Sequence, residues 1–388
     1  MERVLVMLSR GLFCIAIAAL SITPGHASPP PAESRSTMAL AIDRYVQDLT
    51  RRSAFSGNVL VVRNGKPIFS GSFGYADVEF GVRNSAQTRF RIFSITKQFT
   101  AAAIMLLAQR RALGVDESIR SYLPSLPSTW HPITVRELLN HTSGLPQLED
   151  AWGNGFLSDP SVRTQLQNLR AVLPQIAKAK PITLPGTKWL YNNFGYDLLG
   201  AIVEAVSGQR YDLFVKNNIL ASSKMSNSGF VGEAAVPEPP YDGPAIVSRL
   251  AHGYNGNAAI PSDLQQAMPL QYASAPAGDM YSTISDMLSY SNALDAATVL
   301  TNSTQASMVD GAFPINENGG YGFGWIVSTV HGHRIVHHSG SNNGYAAEFA
   351  RFPEDHVVMV ILSNYGFANV EQMRRDITVM LFGQKYAP

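Results

Sequence analysis

The sequence predicts an α/β fold of the α+β kind: an antiparallel sheet flanked by the N- and C-terminal helices, with a mainly helical lobe inserted between the two halves of the sheet. Three observations lead there. A helix and a strand hairpin follow the first 37 residues, four strand-like runs and a helix close the chain, and the stretch between reads as helices broken by Pro- and Gly-rich loops. The α/β lobe is expected from about residues 38–108 and 308–383 and the helical lobe from about 109–307, the two forming one domain over 28–383.

The elements follow in chain order. Residues 1–27 read as a secretory signal: Arg3 and Arg10 supply charge, Gly11 to Ile22 a short apolar core, and Gly25-His26-Ala27 small residues for cleavage. After the Pro-rich segment Pro29 to Pro31, Leu40, Ile42, Tyr45, Val46 and Leu49 put one apolar side on a helix over Met38 to Arg52. Strands are expected at Asn58 to Arg63 and Lys66 to Gly71, joined by Asn64-Gly65, the dipeptide that suits a two-residue turn needing positive φ at both positions. Phe93 to Leu113 has helical periodicity through Ile95, Phe99, Ala102 and Leu106. Val135 to Leu139, Phe194 to Ser207, Tyr211 to Ile219 and Ile284 to Leu294 fit helices, whereas four prolines make Val236 to Pro244 a loop. Strands at Gly324 to Val330, Arg334 to His338, Ala346 to Phe352 and Val357 to Ser363 precede a closing helix at Val370 to Phe382.

Composition narrows the function classes. Thirty basic residues against 29 acidic ones leave a net charge of +1, with no basic excess for nucleic acid or anionic lipid. A glycine-rich phosphate loop is missing, which speaks against nucleotides. The one cysteine, Cys14, lies in the signal, so the mature chain is expected to carry no thiol and to suit an oxidising compartment. A secreted or periplasmic protein without a membrane span after signal cleavage is the expectation, acting as a monomer on a small-molecule or peptide substrate.

Three short patterns carry chemistry. Ser94 and Lys97 lie three apart on a helical run, within reach of each other, and a lysine that loses its proton can act as base for a serine nucleophile. Tyr191 and Asn193, two apart, face one cleft if the segment between them is extended; the phenol can relay protons and the amide can hold a carbonyl. Taken singly, the triplet reads rather as a turn with a packed tyrosine. His338-Ser339-Gly340 ends a strand, and the glycine marks a close approach of another backbone. The Ser341 N–H beyond it can point at an oxyanion together with the N–H of Ser94, while His338 either meets a substrate carboxylate or lines the wall. His331, His333 and His337 alternate without interleaved carboxylates or cysteines, so no metal site and no cofactor are expected. A Gly-x-Ser-x-Gly elbow is absent from the sequence.

Ser-x-x-Lys, Tyr-x-Asn and His-x-Gly in this order resemble the serine β-lactamase and penicillin-binding protein family, its class C branch in particular. Phe90-Arg91-Ile92-Phe93, the segment Ile133 to Pro146 with Leu138-Leu139-Asn140-His141-Thr142-Ser143-Gly144, Ala277-Gly278-Asp279, and Gly322-Phe323-Gly324-Trp325 extend the resemblance over roughly 38–383. It implies the β-lactamase/transpeptidase-like fold, Ser94 as acylated nucleophile, Lys97 as its base or as the charge tuning Tyr191, Tyr191 as proton shuttle, and Asn193, His338, Ser339, Gly340 and Ser341 on the substrate. The His141-Thr142-Ser143-Gly144 loop is implied to be a structural turn. Where many β-lactamases of this branch carry Lys-Thr-Gly, this chain has His338-Ser339-Gly340, as in D-alanyl-D-alanine carboxypeptidases, D-aminopeptidases and some esterases. The function expected is an exported serine hydrolase, D-peptidase-like or esterase, with a β-lactamase or a non-catalytic cell-wall or penicillin-binding sensor as alternatives.

Overall fold

In the computed structural model of the chain, residues 37–147, 180–231, 247–257, 260–267 and 275–383 are described. The expected signal and the Val236 to Pro244 loop lie outside them.

The main sheet has eight strands, all antiparallel, drawn from both ends of the chain. Its strands are β1 (Gly57–Arg63), β2 (Lys66–Phe73), β3 (Phe313–Asn316), β4 (Gly319–Tyr321), β5 (Ile326–Val330), β6 (His333–Asn342), β7 (Tyr345–Phe352) and β8 (Val357–Ser363). The order β3-β4-β5-β6-β7-β8-β1-β2 places N-terminal β1 against C-terminal β8, in register from Gly57↔Ser363 to Arg63↔Val357. At the β1–β2 turn Asn64 and Gly65 have φ of 53° and 72°, the two positive values such a turn needs.

Alternation along the strands buries both faces. Val59, Val61, Met359 and Ile361 join Ile42 and Val46 of α1 (Thr37–Arg51) in one core. Leu60, Val62, Val358, Val360 and Leu362 face the other core, with Ile95, Phe99 and Leu106 along the segment that includes α2 (Thr96–Gln109). Fully burying such a side chain contributes about 1.5–3 kcal/mol, so these apolar runs specify a central layer. The longer helices after α2 are α3 (Asn193–Ser207), α4 (Ile284–Asp295) and α5 (Val370–Phe382); Met373, Ile377 and Leu381 of α5 share the first core with α1.

Element boundaries differ from the sequence reading at several places. α2 stops at Gln109 rather than Leu113: Arg111 takes φ 59°, and the N–H groups of Arg111 and Ala112 close onto Ala108 O and Leu107 O, a left-handed helix end without the usual glycine. Ser94 sits in a 3₁₀ turn, Phe93–Ile95, ahead of α2. Tyr211–Val215 is α-helical but continues as a π turn, Lys216–Leu220. β6 runs on to Asn342 because it pairs with β7 up to Asn342↔Tyr345, so His338-Ser339-Gly340 lies inside the strand. Among the described residues no helix is long and apolar enough to cross a membrane.

Candidate active site

Ser94 is positioned by a strained turn. Phe93, directly before it, has φ 42°, a left-handed conformation that costs a bulky residue roughly 1–3 kcal/mol. The surroundings hold it there. Ile92 N–H donates to Met280 O at 2.9 Å, and Met280 N–H to Thr96 Oγ1 at 3.2 Å. The buried Arg91–Asp279 ion pair closes the same two segments at 2.8 Å. Gly340 leaves room for the turn: a Cβ there would stand 2.0 Å from Ile92 O and 3.0 Å from Ser94 N. The close backbone approach expected at Gly340 is therefore onto the Ser94 turn.

Lys97, the second residue of α2, is fully buried. Its Nζ donates to Ser94 Oγ at 3.1 Å, Asn193 Oδ1 at 2.9 Å and Ala277 O at 2.7 Å. It also lies 4.9 Å and 5.5 Å from the ring centres of Tyr191 and Tyr196, whose faces favour a cation. Tyr191 O–H donates to Ser94 Oγ at 2.8 Å. Burial pushes the Tyr191 phenol above its ordinary range, an effect that the bond to Ser94 reduces, so it is a neutral proton donor at neutral pH. Asn192 between the two is extended (φ −143°, ψ 114°) and caps α3 by accepting the Gly195 N–H, which turns Tyr191 and Asn193 toward the same place.

Of the eight residues expected at the site, Ser94, Lys97, Tyr191 and Asn193 are joined by direct hydrogen bonds, and Gly340 packs on the Ser94 turn. Ser341 is exposed near the end of β6. Ser339 donates to Glu371 of α5 at 3.0 Å, on the strand face that also carries the His337–Glu348 contact, with Arg374 of α5 on the same carboxylate. His338 is only 3% exposed. Its Nδ1 meets Ser339 O at 2.5 Å, and a carbonyl only accepts, so Nδ1 carries a proton. Its Nε2 then accepts the Tyr321 O–H at 2.8 Å. Burial first, then the Lys97 charge, pushes its pKa down to about 3, so the ring is neutral and both nitrogens are engaged. The expectation of a histidine free to meet a substrate carboxylate gives way to the wall-lining alternative.

Several contributors escaped the sequence reading. Ala277 acts through its carbonyl, for which side-chain patterns hold no signal. Tyr321 is the partner that fixes His338. His141, taken for part of a turn, is buried with φ 61°; its Nδ1 accepts the Asn192 N–H at 3.1 Å and its ring lies 4.4 Å from that of Tyr191. Burial, then Lys97 and His338, hold its pKa well below the ordinary value. Gln147 bonds to the backbone of both Tyr191 and Asn193. His333 and His337 are separately committed to Asp355 and Glu348. Away from them, Asp77, Glu79 and His252 bring possible ligand atoms within 4.8 Å of one another.

The family model described as Beta-lactamase matches residues 42–383. Penicillin-binding protein 4* of Bacillus subtilis (strain 168) is 28% identical over 354 residues, covering 88% of this chain and 75% of that protein. Among solved structures, a D-amino acid amidase from Ochrobactrum anthropi SV3, complexed with L-phenylalanine amide, superposes with a TM-score of 0.74 at 25% identity, covering 90% of this chain and 99% of that one. An octameric penicillin-binding protein homologue from Pyrococcus abyssi gives 0.74 at 25% identity over 89% of this chain and 77% of that one.

Proposed function

Since the chain belongs to the beta-lactamase family over residues 42–383, we propose that it is a serine hydrolase that cleaves esters or amides through an acyl-enzyme on Ser94. The observation that carries this reading is the convergence of Lys97 Nζ and Tyr191 O–H on Ser94 Oγ, at 3.1 and 2.8 Å.

The partners of Lys97 support reading it as the base. An amine that has lost one proton keeps two N–H groups, and Asn193 Oδ1 and Ala277 O are placed to take both. Its lone pair then faces the Ser94 hydroxyl. As Ser94 attacks the carbonyl carbon, its proton moves to Lys97, and the ammonium that forms meets two carbonyl oxygens and two aromatic faces already in place. The N–H groups of Ser94 and Ser341 are the donors assigned to the oxyanion. Tyr191 gives its phenolic proton to the leaving oxygen or nitrogen and is reprotonated from Lys97, so one proton travels from Ser94 to the leaving group. Water then attacks the acyl-enzyme, its proton passes to the Lys97–Tyr191 pair, and Ser94 leaves with a proton from that pair.

His338 shapes the substrate preference. With both nitrogens engaged and its ring neutral, it offers no cation to a substrate carboxylate. Neutral substrates, esters and amides such as those of D-amino acids, therefore rank ahead of β-lactams, and D-Ala-D-Ala peptides, whose carboxypeptidases this chain resembles in carrying His-x-Gly, rank beside them. The likeness to a D-amino acid amidase supports the same order. Export, a periplasmic or secreted location and a monomeric state belong to this reading. The test is turnover by purified chain of a p-nitrophenyl ester, a D-phenylalanine amide, a D-Ala-D-Ala peptide and nitrocefin. The ester, the amide and the peptide are expected to turn over faster than nitrocefin; a preference for nitrocefin would reverse the order, and no turnover of any would refute the hydrolase reading.

A further inference from the structure

Tyr191-Asn192-Asn193 lies outside the main sheet, before the first full turn of α3. Its shape is imposed by side chains of one loop, 141–147. Gln147 Nε2 donates to Tyr191 O at 2.6 Å, and Gln147 Oε1 accepts the Asn193 N–H at 3.0 Å. Between them the Asn192 N–H goes to His141 Nδ1 at 3.1 Å, and Leu190 N–H to His141 O at 2.8 Å. Three successive residues thus hand a main-chain polar group to a side chain of that loop, as a strand would to a neighbouring strand.

The loop is itself fixed. The N–H groups of Ile182 and Gly186 donate to Gly144 O and Thr142 O, at 2.7 and 2.8 Å. At Gly144, φ is 73° and a Cβ would stand 2.3 Å from Thr183 O, so that position accepts glycine alone. The orientation of the Gln147 amide follows from its partners, because Tyr191 O only accepts and Asn193 N–H only donates.

We infer that Gln147, seconded by His141, is a positioning residue for the acyl-transfer reaction: its amide clamps the backbone on both sides of Asn192 and so sets the Tyr191 phenol and the Asn193 amide against Ser94 and Lys97. This rests on the hydrolase reading above. Both described contacts of Gln147 are to main chain, so its effect belongs to kcat rather than to substrate affinity.

A glutamate at 147 distinguishes a clamp from mere packing. Its shape is that of glutamine, but the carboxylate can only accept; it serves the Asn193 N–H and faces Tyr191 O lone pair to lone pair. Once protonated it donates to Tyr191 O and restores the clamp. Half-burial and the opposed carbonyl raise the pH at which this happens above the ordinary carboxylate range. Lys97, Tyr191, His141 and His338 surround the site in every variant, so their own titration cancels in the ratio of variant to wild type.

The experiment measures kcat and KM for a p-nitrophenyl ester with wild type, Gln147→Ala and Gln147→Glu from pH 5.5 to 8.5, with melting curves for each. Gln147→Ala is expected to lose about ten- to thirty-fold in kcat at every pH, KM changing about twofold or less, as two neutral hydrogen bonds vanish. Gln147→Glu is expected to match that loss at pH 8.5 and recover to within about threefold of wild type at pH 5.5. Should Gln147→Ala not fold, the pH course of Gln147→Glu decides alone. A loss in Gln147→Glu that stays constant across pH, or a rise in KM with kcat unchanged, overturns the clamp. An inactive wild type instead sinks the hydrolase reading and takes the clamp with it.

Discussion

Replacing Tyr191 by phenylalanine separates catalysis from stability. The hydroxyl makes a 2.8 Å bond to Ser94 Oγ, and the ring keeps its place against His141 at 4.4 Å. The fold therefore loses one neutral hydrogen bond, worth about 0.5–1.5 kcal/mol, with the ring packing preserved. The reaction loses a positioned proton donor, which costs about 10²–10⁴ in rate, or roughly 2.7–5.5 kcal/mol of transition-state stabilisation. Because burial keeps the phenol protonated, the loss is expected across the whole neutral range rather than only at alkaline pH. The assay is steady-state hydrolysis of a p-nitrophenyl ester and of a D-amino acid amide, alongside a thermal melt. The amide, with the poorer leaving group, should suffer more. A variant within tenfold of wild type on the amide, with an unchanged melt, would refute the proton-donor role.

Gly340→Ala places a Cβ 2.0 Å from Ile92 O and 3.0 Å from Ser94 N; main chain must move, at about 1–3 kcal/mol, and a fluorophosphonate should label Ser94 at least tenfold more slowly, read by gel fluorescence. Acid stability tests the buried His338. Its native pKa is pushed to about 3 against about 6.5 unfolded, so the unfolded chain binds more protons between those values and native stability falls as pH drops through that window. At pH 5 the cost is about 2 kcal/mol. Melts of His338→Gln should therefore fall less between pH 7 and pH 5 than those of wild type, and equal slopes would contradict a neutral buried ring.

How much of this was legible in the sequence follows from where each constraint resides. Strong periodicity made β1, β7, β8 and α5 readable to within a residue or two, because each buries a continuous apolar face, and the Asn64-Gly65 turn marked where β2 begins. Ser94, Lys97, Tyr191 and Asn193 were readable because their chemistry lies in side chains at fixed spacing. The end of α2 was not, since Arg111 takes the left-handed position usually given to glycine. The strain at Phe93 and the carbonyl of Ala277 leave no trace in residue type, being set by Asp279, Met280 and Gly340 from distant parts of the chain. His338 was read for its charge, yet its state is decided by Tyr321 and its own strand, and Gln147 acts only on backbone.

The central claim is an acyl-enzyme on Ser94, and trapping it is the most direct measurement. The chain is mixed with an activated ester, quenched in acid within the first turnovers, digested and mapped by mass spectrometry. One acyl group on the peptide containing Ser94, absent from Ser94→Ala together with the hydrolysis, is the expected result. An acyl group on another residue, or full hydrolysis by Ser94→Ala, would contradict the account.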